Sequence, residues 1–568
     1  MRRALSAPRL VGAAALALAA VSMLLVTNPL SAERPEPASE KPATRQTAAM
    51  SQTSAVDAER QSALLAQEDQ RLLTLVSSVR PGWGPYLQDV GGVQTLVLTA
   101  GRLPYGLADL VALGAAEVQP DGTVLLTRHV FVAPGARLAV DAPGTTLRLR
   151  SEQSGFVSLV AWKADLTLSG AEGRPLVVTS WDPGLQHPDP STVDGRAYVR
   201  DVSGGMELRF LDASGLGFWA GRTSGVAWTG SSRTAATGAA IGSTFRHNHY
   251  GAFASRGKGL TVADSDFSGN TVDGLWLHRS TAEATISRST ARGNGRHGFS
   301  ADHGSELVSY VDVTAEKNGA YGIFFSGTPL SAGQSAGGAS LRVYGRVRVS
   351  GGAFRENAKA GLRVVDGDYV AITDTRVADN TDGIVLAGTS APTKVENATV
   401  TGNRRFGISV SGASATVTGN ELSGSETAIR VRDAAVAVIG NDIRHATRHA
   451  ISVVGAATGS SLRNNTIGGR GPSGLDVYRV DAGVTVDESG NDVEGWTRDR
   501  DNSTYWANFV PNHPMLLLWV LLLGAPVFLN LRGRRQRVAP GTTPYPDGMR
   551  RQRAPQLRAE RRVAGRSA

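Results

Sequence analysis

An all-β chain wound as a right-handed parallel β-helix is predicted by three observations. An asparagine recurs about once per coil, a glycine with an apolar pair often follows it, and the composition suits strands and turns. The asparagines are Asn248, Asn270, Asn294, Asn318, Asn357, Asn380, Asn403, Asn420, Asn441, Asn465 and Asn491. Eight of the ten gaps between them are 21 to 26 residues, the period of a parallel solenoid. The 39-residue gap holds a Gly/Ser/Ala-rich insertion near 329–339, and the 17-residue gap reads as a short coil. A leucine-rich repeat has a similar period, but its leucine template is absent.

The asparagines lead to Gly274-Leu275, Gly298-Phe299, Gly322-Ile323, Gly361-Leu362 and Gly407-Ile408. Stacked asparagines share side-chain amide hydrogen bonds down a column. Glycine is expected to supply a turn conformation that branched residues cannot adopt. Each coil covers the apolar face of the next, so no coil is stable alone. With 67 glycines and 6% aromatics, the chain favours short strands over packed helices. It has no cysteine, which excludes disulfides, thiolate metal sites and cysteine nucleophiles.

The 568 residues divide into six parts. Residues 1–32 open Met1-Arg2-Arg3 and continue in an apolar run from Val11 to Val26, which predicts a signal peptide or a retained signal anchor. Residues 33–60 are rich in Pro, Ala, Ser, Thr and charge and read as a disordered linker. Residues 61–120 read as a cap: a helix over 61–79, a strand near 95–99 and a helix near 106–115. The β-helix is expected over 121–497. Residues 505–531 contain the apolar run Met515–Leu531, read as a transmembrane helix, since seventeen residues rise roughly 25 Å. Arg532, Arg534, Arg535 and Arg537 follow and place that end inside the cell. Residues 532–568 are a basic disordered tail.

That tail holds eleven arginines against Asp547 and Glu560, which equals the whole net charge of +9. The remainder is close to neutral, so no nucleic-acid partner is expected. The β-helix is expected outside the cytoplasm and the tail inside, with the membrane as one partner through the C-terminal helix.

Strand residues alternate inward and outward. Aligned on the glycines, the coils place Phe253, Trp276, Ser300 and Phe324 in one outward column. Ser255, His278, Asp302 and Ser326 form the next. An aromatic column beside a polar one suits sugar rings and their hydroxyls. His278 and Asp302 on successive coils would pair and fix the imidazole tautomer. Arg256, Lys258, Arg279 and His303 lie nearby, where they would attract a uronate. The other reading is that Trp276 and Phe324 pack under a loop and His278 is an ordinary exposed residue.

Several segments resemble the mannuronan C5-epimerases of alginate biosynthesis. They are 125–128, 134–138, 216–218, Tyr250-Gly251-Ala252, 270–280 and Arg296-His297-Gly298-Phe299. The resemblance covers roughly 122–327. It implies a periplasmic right-handed β-helix of carbohydrate-binding and sugar-hydrolysis type repeats. The family's catalytic motif is Asp-Pro-His-Asp followed by Arg-Ser. Here Trp276-Leu277-His278-Arg279-Ser280 stands in its place, keeping the histidine but neither aspartate. Where the family has an arginine that neutralises the substrate carboxylate, this chain has Asp302 or His303; Arg279 or Arg256 would have to substitute.

Two functions follow. In the first, the protein is a C5-epimerase or lyase acting on a uronate-containing polysaccharide. His278, Arg279, Asp302 and His303 are then the catalytic candidates, and Phe253, Arg256, Trp276 and Phe324 bind substrate. In the second, it is a non-catalytic polysaccharide-binding or scaffold subunit beside a polysaccharide synthase. A two-carboxylate glycosidase lacks a clear second acid. A cell-surface adhesin is a further class. No cofactor and no metal is expected.

Overall fold

The computed structural model describes residues 55–331, 338–389 and 393–499. The apolar runs at 11–26 and 515–531 and the arginine-rich tail lie outside these residues, as does 33–54 of the linker. Among the described residues no helix is long and apolar enough to cross a membrane.

The chain winds as a parallel β-helix of three sheets. Each coil gives one strand to each sheet in turn: Leu275–His278, then Thr285–Ser287, then Thr290–Arg292. The next strand, His297–Ala301, returns to the first sheet and pairs parallel with Leu275–His278. The first sheet holds sixteen strands among the described residues, from Tyr86–Val90 to Leu475–Val480.

Alternation along each strand builds the core. Ala252, Leu275, Phe299, Ile323, Leu362 and Ile384 are in register and point inward. All are buried in one continuous apolar cluster. Burying each large side chain contributes about 1.5–3 kcal/mol, and only a neighbouring coil provides that burial.

The asparagine column is real, but it is two ladders. From Asn270 through Asn403, each side-chain amide donates to the next asparagine's Oδ1 at 2.9–3.1 Å. A second ladder runs from Asn420 through Asn441 and Asn465 to Asn491 at 2.8–2.9 Å. The first sits after third-sheet strands. The second sits after second-sheet strands, where Ala398 precedes it and donates its N–H to Asn420. The 17-residue gap is therefore no short coil. Val400 pairs with Leu422 at an ordinary spacing, and Ser425 takes the place that Asn403 holds one coil earlier.

The glycines after the asparagines also have a different cause. Gly251, Gly274 and Gly322 do not take positive φ. A Cβ on Gly274 would meet the carbonyl oxygen of Gly298 at 2.5 Å and the Asn294 amide at 3.0 Å. Close approach of coil to coil excludes a side chain there. Left-handed residues stand instead at the corners after the strands of all three sheets, and many are not glycine: Arg256 (φ 51°), Arg279 (φ 41°), His303 (φ 50°) and Asp366 (φ 50°) after first-sheet strands, Asp264 (φ 52°) and Arg288 (φ 45°) after second-sheet strands.

Two boundaries move. The helix begins at Ala55, inside the stretch read as linker, and runs to Ser78. The β-helix begins near Val93 rather than 121, because Val93–Leu98 pairs parallel with His129–Val132. The expected strand and second helix are therefore parts of the first coil, the helix being Leu107–Ala112.

The Ala55–Ser78 helix lies on the outer face of the first sheet. Leu72 and Leu75 pack on Val97, Phe131 and Val160. A buried polar network pins it. Arg71 bonds Glu68 at 2.8 and 3.0 Å, Thr95 Oγ1 at 3.0 Å and Ser158 Oγ at 2.8 Å, and Tyr198 donates to Glu68 at 2.7 Å. Burial pushes the Glu68 carboxyl up, but the Arg71 guanidinium outweighs it and holds the group ionised. The same burial, with the Arg71 charge, drives the neighbouring His129 down to about 3.

Candidate active site

Beyond the helix the outer face of the first sheet is open to other uses. Strand register fixes one column there: Phe253 opposite Trp276, Trp276 opposite Ser300, Ser300 opposite Phe324. This is the order read from the sequence. In the next column Ser255 pairs with His278. Asp302 lies just past the end of its strand, tied by its N–H to the Leu277 carbonyl at 3.0 Å.

Asp302 organises the site. Its Oδ1 lies 2.7 Å from His278 Nδ1, accepts from the Trp276 indole N–H at 3.0 Å, and lies 3.1 Å from His303 Nδ1. Burial pushes this carboxyl up, but hydrogen bonds and charge from His278 and His303 prevail and hold it well below the carboxylate range. The bond to Asp302 in turn raises His303. An ionised carboxylate only accepts, so each Nδ1 facing it carries a proton, and in the neutral form of either imidazole the lone pair is on Nε2. The His278 ring is held from both sides, 4.4 Å from Trp276 and 4.4 Å from His303.

Two guanidinium groups stand at the same corner. Arg256 and Arg279 follow Ser255 and His278 on successive coils, joined by an N–H to carbonyl bond of 2.9 Å. Burial lowers Arg256, and the Arg279 charge adds to this. Neither has an acidic partner among the described residues. Lys258 is committed to Glu283 at 3.4 Å. The corner combines an oriented imidazole with cationic charge available to a carboxylate.

The expected sugar-stacking column is only partly available. Phe253 and Trp276 are each 5% exposed. The turn Gly221–Thr223 covers Phe253, and a Cβ on Gly221 would lie 2.3 Å from its ring. Trp276 stacks on Tyr250 at 5.1 Å and meets Phe253 edge-on at 5.1 Å. These two residues therefore form the packed wall of the site and offer no ring face to a ligand. Phe324 is half-buried in a stack with His297 at 5.0 Å and Tyr321 at 5.7 Å.

The sequence reading missed a buried ion pair behind this wall. Asp273 is fully buried and accepts from Arg296 Nε at 2.8 Å and Nη2 at 2.6 Å, with Ser300 donating at 2.8 Å. Burial raises Asp273, but Arg296 outweighs it and keeps it ionised. Burial drives His297 down to about 3, so it is neutral. The 23-residue separation of Asp273 and Arg296, one coil, is the signal that finds them; Asp382 and Arg405 repeat it.

Two family models match the chain. One, described as right handed beta helix region, matches residues 221–330, and the other, described as periplasmic copper-binding protein (NosD), matches 326–471. No curated protein matches. Among solved structures, the periplasmic alginate epimerase AlgG is similar at 14% identity and TM-score 0.44, over 74% of this chain and 95% of that one. The mannuronan C-5 epimerase AlgE6 A-module of Azotobacter vinelandii is similar at 16% identity and TM-score 0.41, over 68% and 93%. Pectate lyase Pel9A is similar at 15% and TM-score 0.29, over 64% and 76%. Over its described residues the protein is a parallel β-helix, and residues 221–330 match the right-handed β-helix model.

Proposed function

We propose that the protein removes the proton α to the carboxylate of a uronate residue in an acidic polysaccharide. The observation that carries this reading is the imidazole of His278, held through Nδ1 by Asp302 at 2.7 Å, beside Arg256 and Arg279. His278 Nε2 takes the C5 proton, and the electron pair moves into the carboxylate. The two guanidinium groups stabilise the charge that develops there. Return of a proton to C5 gives the epimer; expulsion of the oxygen at C4 gives an unsaturated chain end. Incubating the full chain with polyuronates in D₂O tests this: deuterium enters C5, or an unsaturated uronate accumulates. Neither product from any polyuronate would refute the reading.

A second reading, a non-catalytic polysaccharide-binding or scaffold subunit, is favoured by Trp276 and Arg279 standing where the epimerase motif has the two aspartates that flank its histidine. In that case His278→Ala leaves polymer binding unchanged.

The apolar runs and their flanking arginines support an exported protein, with the β-helix outside the cytoplasm, a C-terminal membrane helix and a polysaccharide synthase as neighbour.

A further inference from the structure

Three side chains that suit a transition-metal ion meet at the corner already described. His278, Asp302 and His303 each offer one donor atom, and these atoms all lie within 4.8 Å of one another. The two Nδ1 atoms are 2.7 and 3.1 Å from Asp302 Oδ1. Donors around one tetrahedral Zn²⁺ at about 2.0–2.2 Å stand roughly 3.3 Å apart, so two of the three spacings are already close to those of a bound ion. Imidazole with carboxylate is a donor set for zinc-like ions rather than for calcium or magnesium.

The surroundings are those of a built site. Trp276 donates to the carboxylate at 3.0 Å, the kind of outer hydrogen bond that orients a ligating group. Strand pairing between coils fixes the positions of His278 and Asp302 before any ion arrives. His303 is 49% exposed at its side chain, which leaves an entry path.

We propose that His278, Asp302 and His303 bind one divalent ion of the zinc class, and that the ion-bound state has no base. The binding stands on the geometry alone; the loss of the base rests on the function proposed above. The ion takes the lone pair of each Nδ1. A neutral imidazole has one proton for two nitrogens, so the proton that Nδ1 held passes through solvent to Nε2. That nitrogen then donates and no longer accepts, and the C5 proton has nowhere to go. No electrons are transferred, and bound water completes the coordination.

The test uses the untagged full chain in detergent, stripped of metal by a chelator and titrated calorimetrically with Zn²⁺. Co²⁺ serves as an absorbing substitute. One ion per chain is expected, with visible Co²⁺ bands. His303→Gln and Asp302→Asn should weaken Zn²⁺ by at least ~10²-fold, and Trp276→Phe by about 10–100-fold. His187→Ala, an exposed histidine elsewhere, should change nothing. Circular dichroism confirms that each variant is folded. No stoichiometric binding, or unchanged affinity in His303→Gln, overturns the site. Deuterium exchange at C5 that continues with Zn²⁺ bound overturns the loss of the base. No exchange by the metal-free protein refutes the proposed function instead and leaves the titration to decide the metal site.

Discussion

Asp69 on the N-terminal helix bonds Arg222 on the turn that covers Phe253, with Oδ2 and Nη2 2.6 Å apart across 153 residues of chain. The same carboxylate lies 3.8 Å from Arg200. The helix thereby holds the lid of the aromatic wall. The pair is partly exposed, so Asp69→Asn should cost no more than about 1 kcal/mol. Its effect should be local: faster hydrogen exchange over 218–225, read by mass spectrometry, with the Ala55–Ser78 helix unchanged. Unaltered exchange in that peptide would show that the turn holds itself.

Replacing Asn294 or Asn318 with Leu breaks a ladder in its middle and leaves buried partners unpaired. A loss of about 1–3 kcal/mol is expected in urea unfolding. Ser425→Asn should do the reverse. It stands where the first ladder stops, with its Oγ buried and without a hydrogen-bond partner. An asparagine there offers Oδ1 to Asn403 and should add roughly 1 kcal/mol. Destabilisation by Ser425→Asn would mean the corner cannot accept the amide.

Asp201 points inward and is fully buried, with one oxygen accepting from Gly204 N at 3.2 Å and the other without a partner. Burial raises its carboxyl to about 7. The native state therefore keeps a proton that the unfolded chain releases near pH 4. Stability from this group is full below that pH and falls as pH rises towards 7, by up to about 1.4 kcal/mol per unit. Asp201→Asn should gain on the wild type between pH 5 and pH 8. An equal difference at both pH values would contradict the assignment.

His278→Ala should lower any C5 exchange by on the order of 10²–10⁴-fold, as for loss of a general base. Trp276→Phe keeps the packed wall but removes the N–H that Asp302 accepts. It should reduce turnover with little change in half-saturation, since the ring touches no ligand. A pure rise in half-saturation would place Trp276 in direct contact with the polymer.

Much of this was legible in the sequence because a β-helix is periodic. Gly274 and Gly298 gave the register, and the register alone placed His278 beside Asp302 and Phe253 beside Trp276. What covers those columns was not legible. Gly221 reaches Phe253 from outside its own coil, on a turn that Asp69 holds through Arg222, and no local pattern announces that approach. The asparagine spacing also misled at one point. Asn403 and Asn420 share a residue type but stand at different corners, and only the pairing of Val400 with Leu422 separates them. The glycine at each strand start was found for the wrong reason, because a carbonyl 2.5 Å from a hypothetical Cβ has no signature in a single chain.

The first ladder has a consequence at the level of the gene. Asn357 and Asn380 are equivalent points 23 residues apart, so excising 358–380 leaves Asn357 facing Asn403 with every inward column intact. One in-frame deletion or duplication thus changes the molecule by one whole rung. The extent of the outer face can drift in evolution by copy number, while the corner bearing His278 stays untouched.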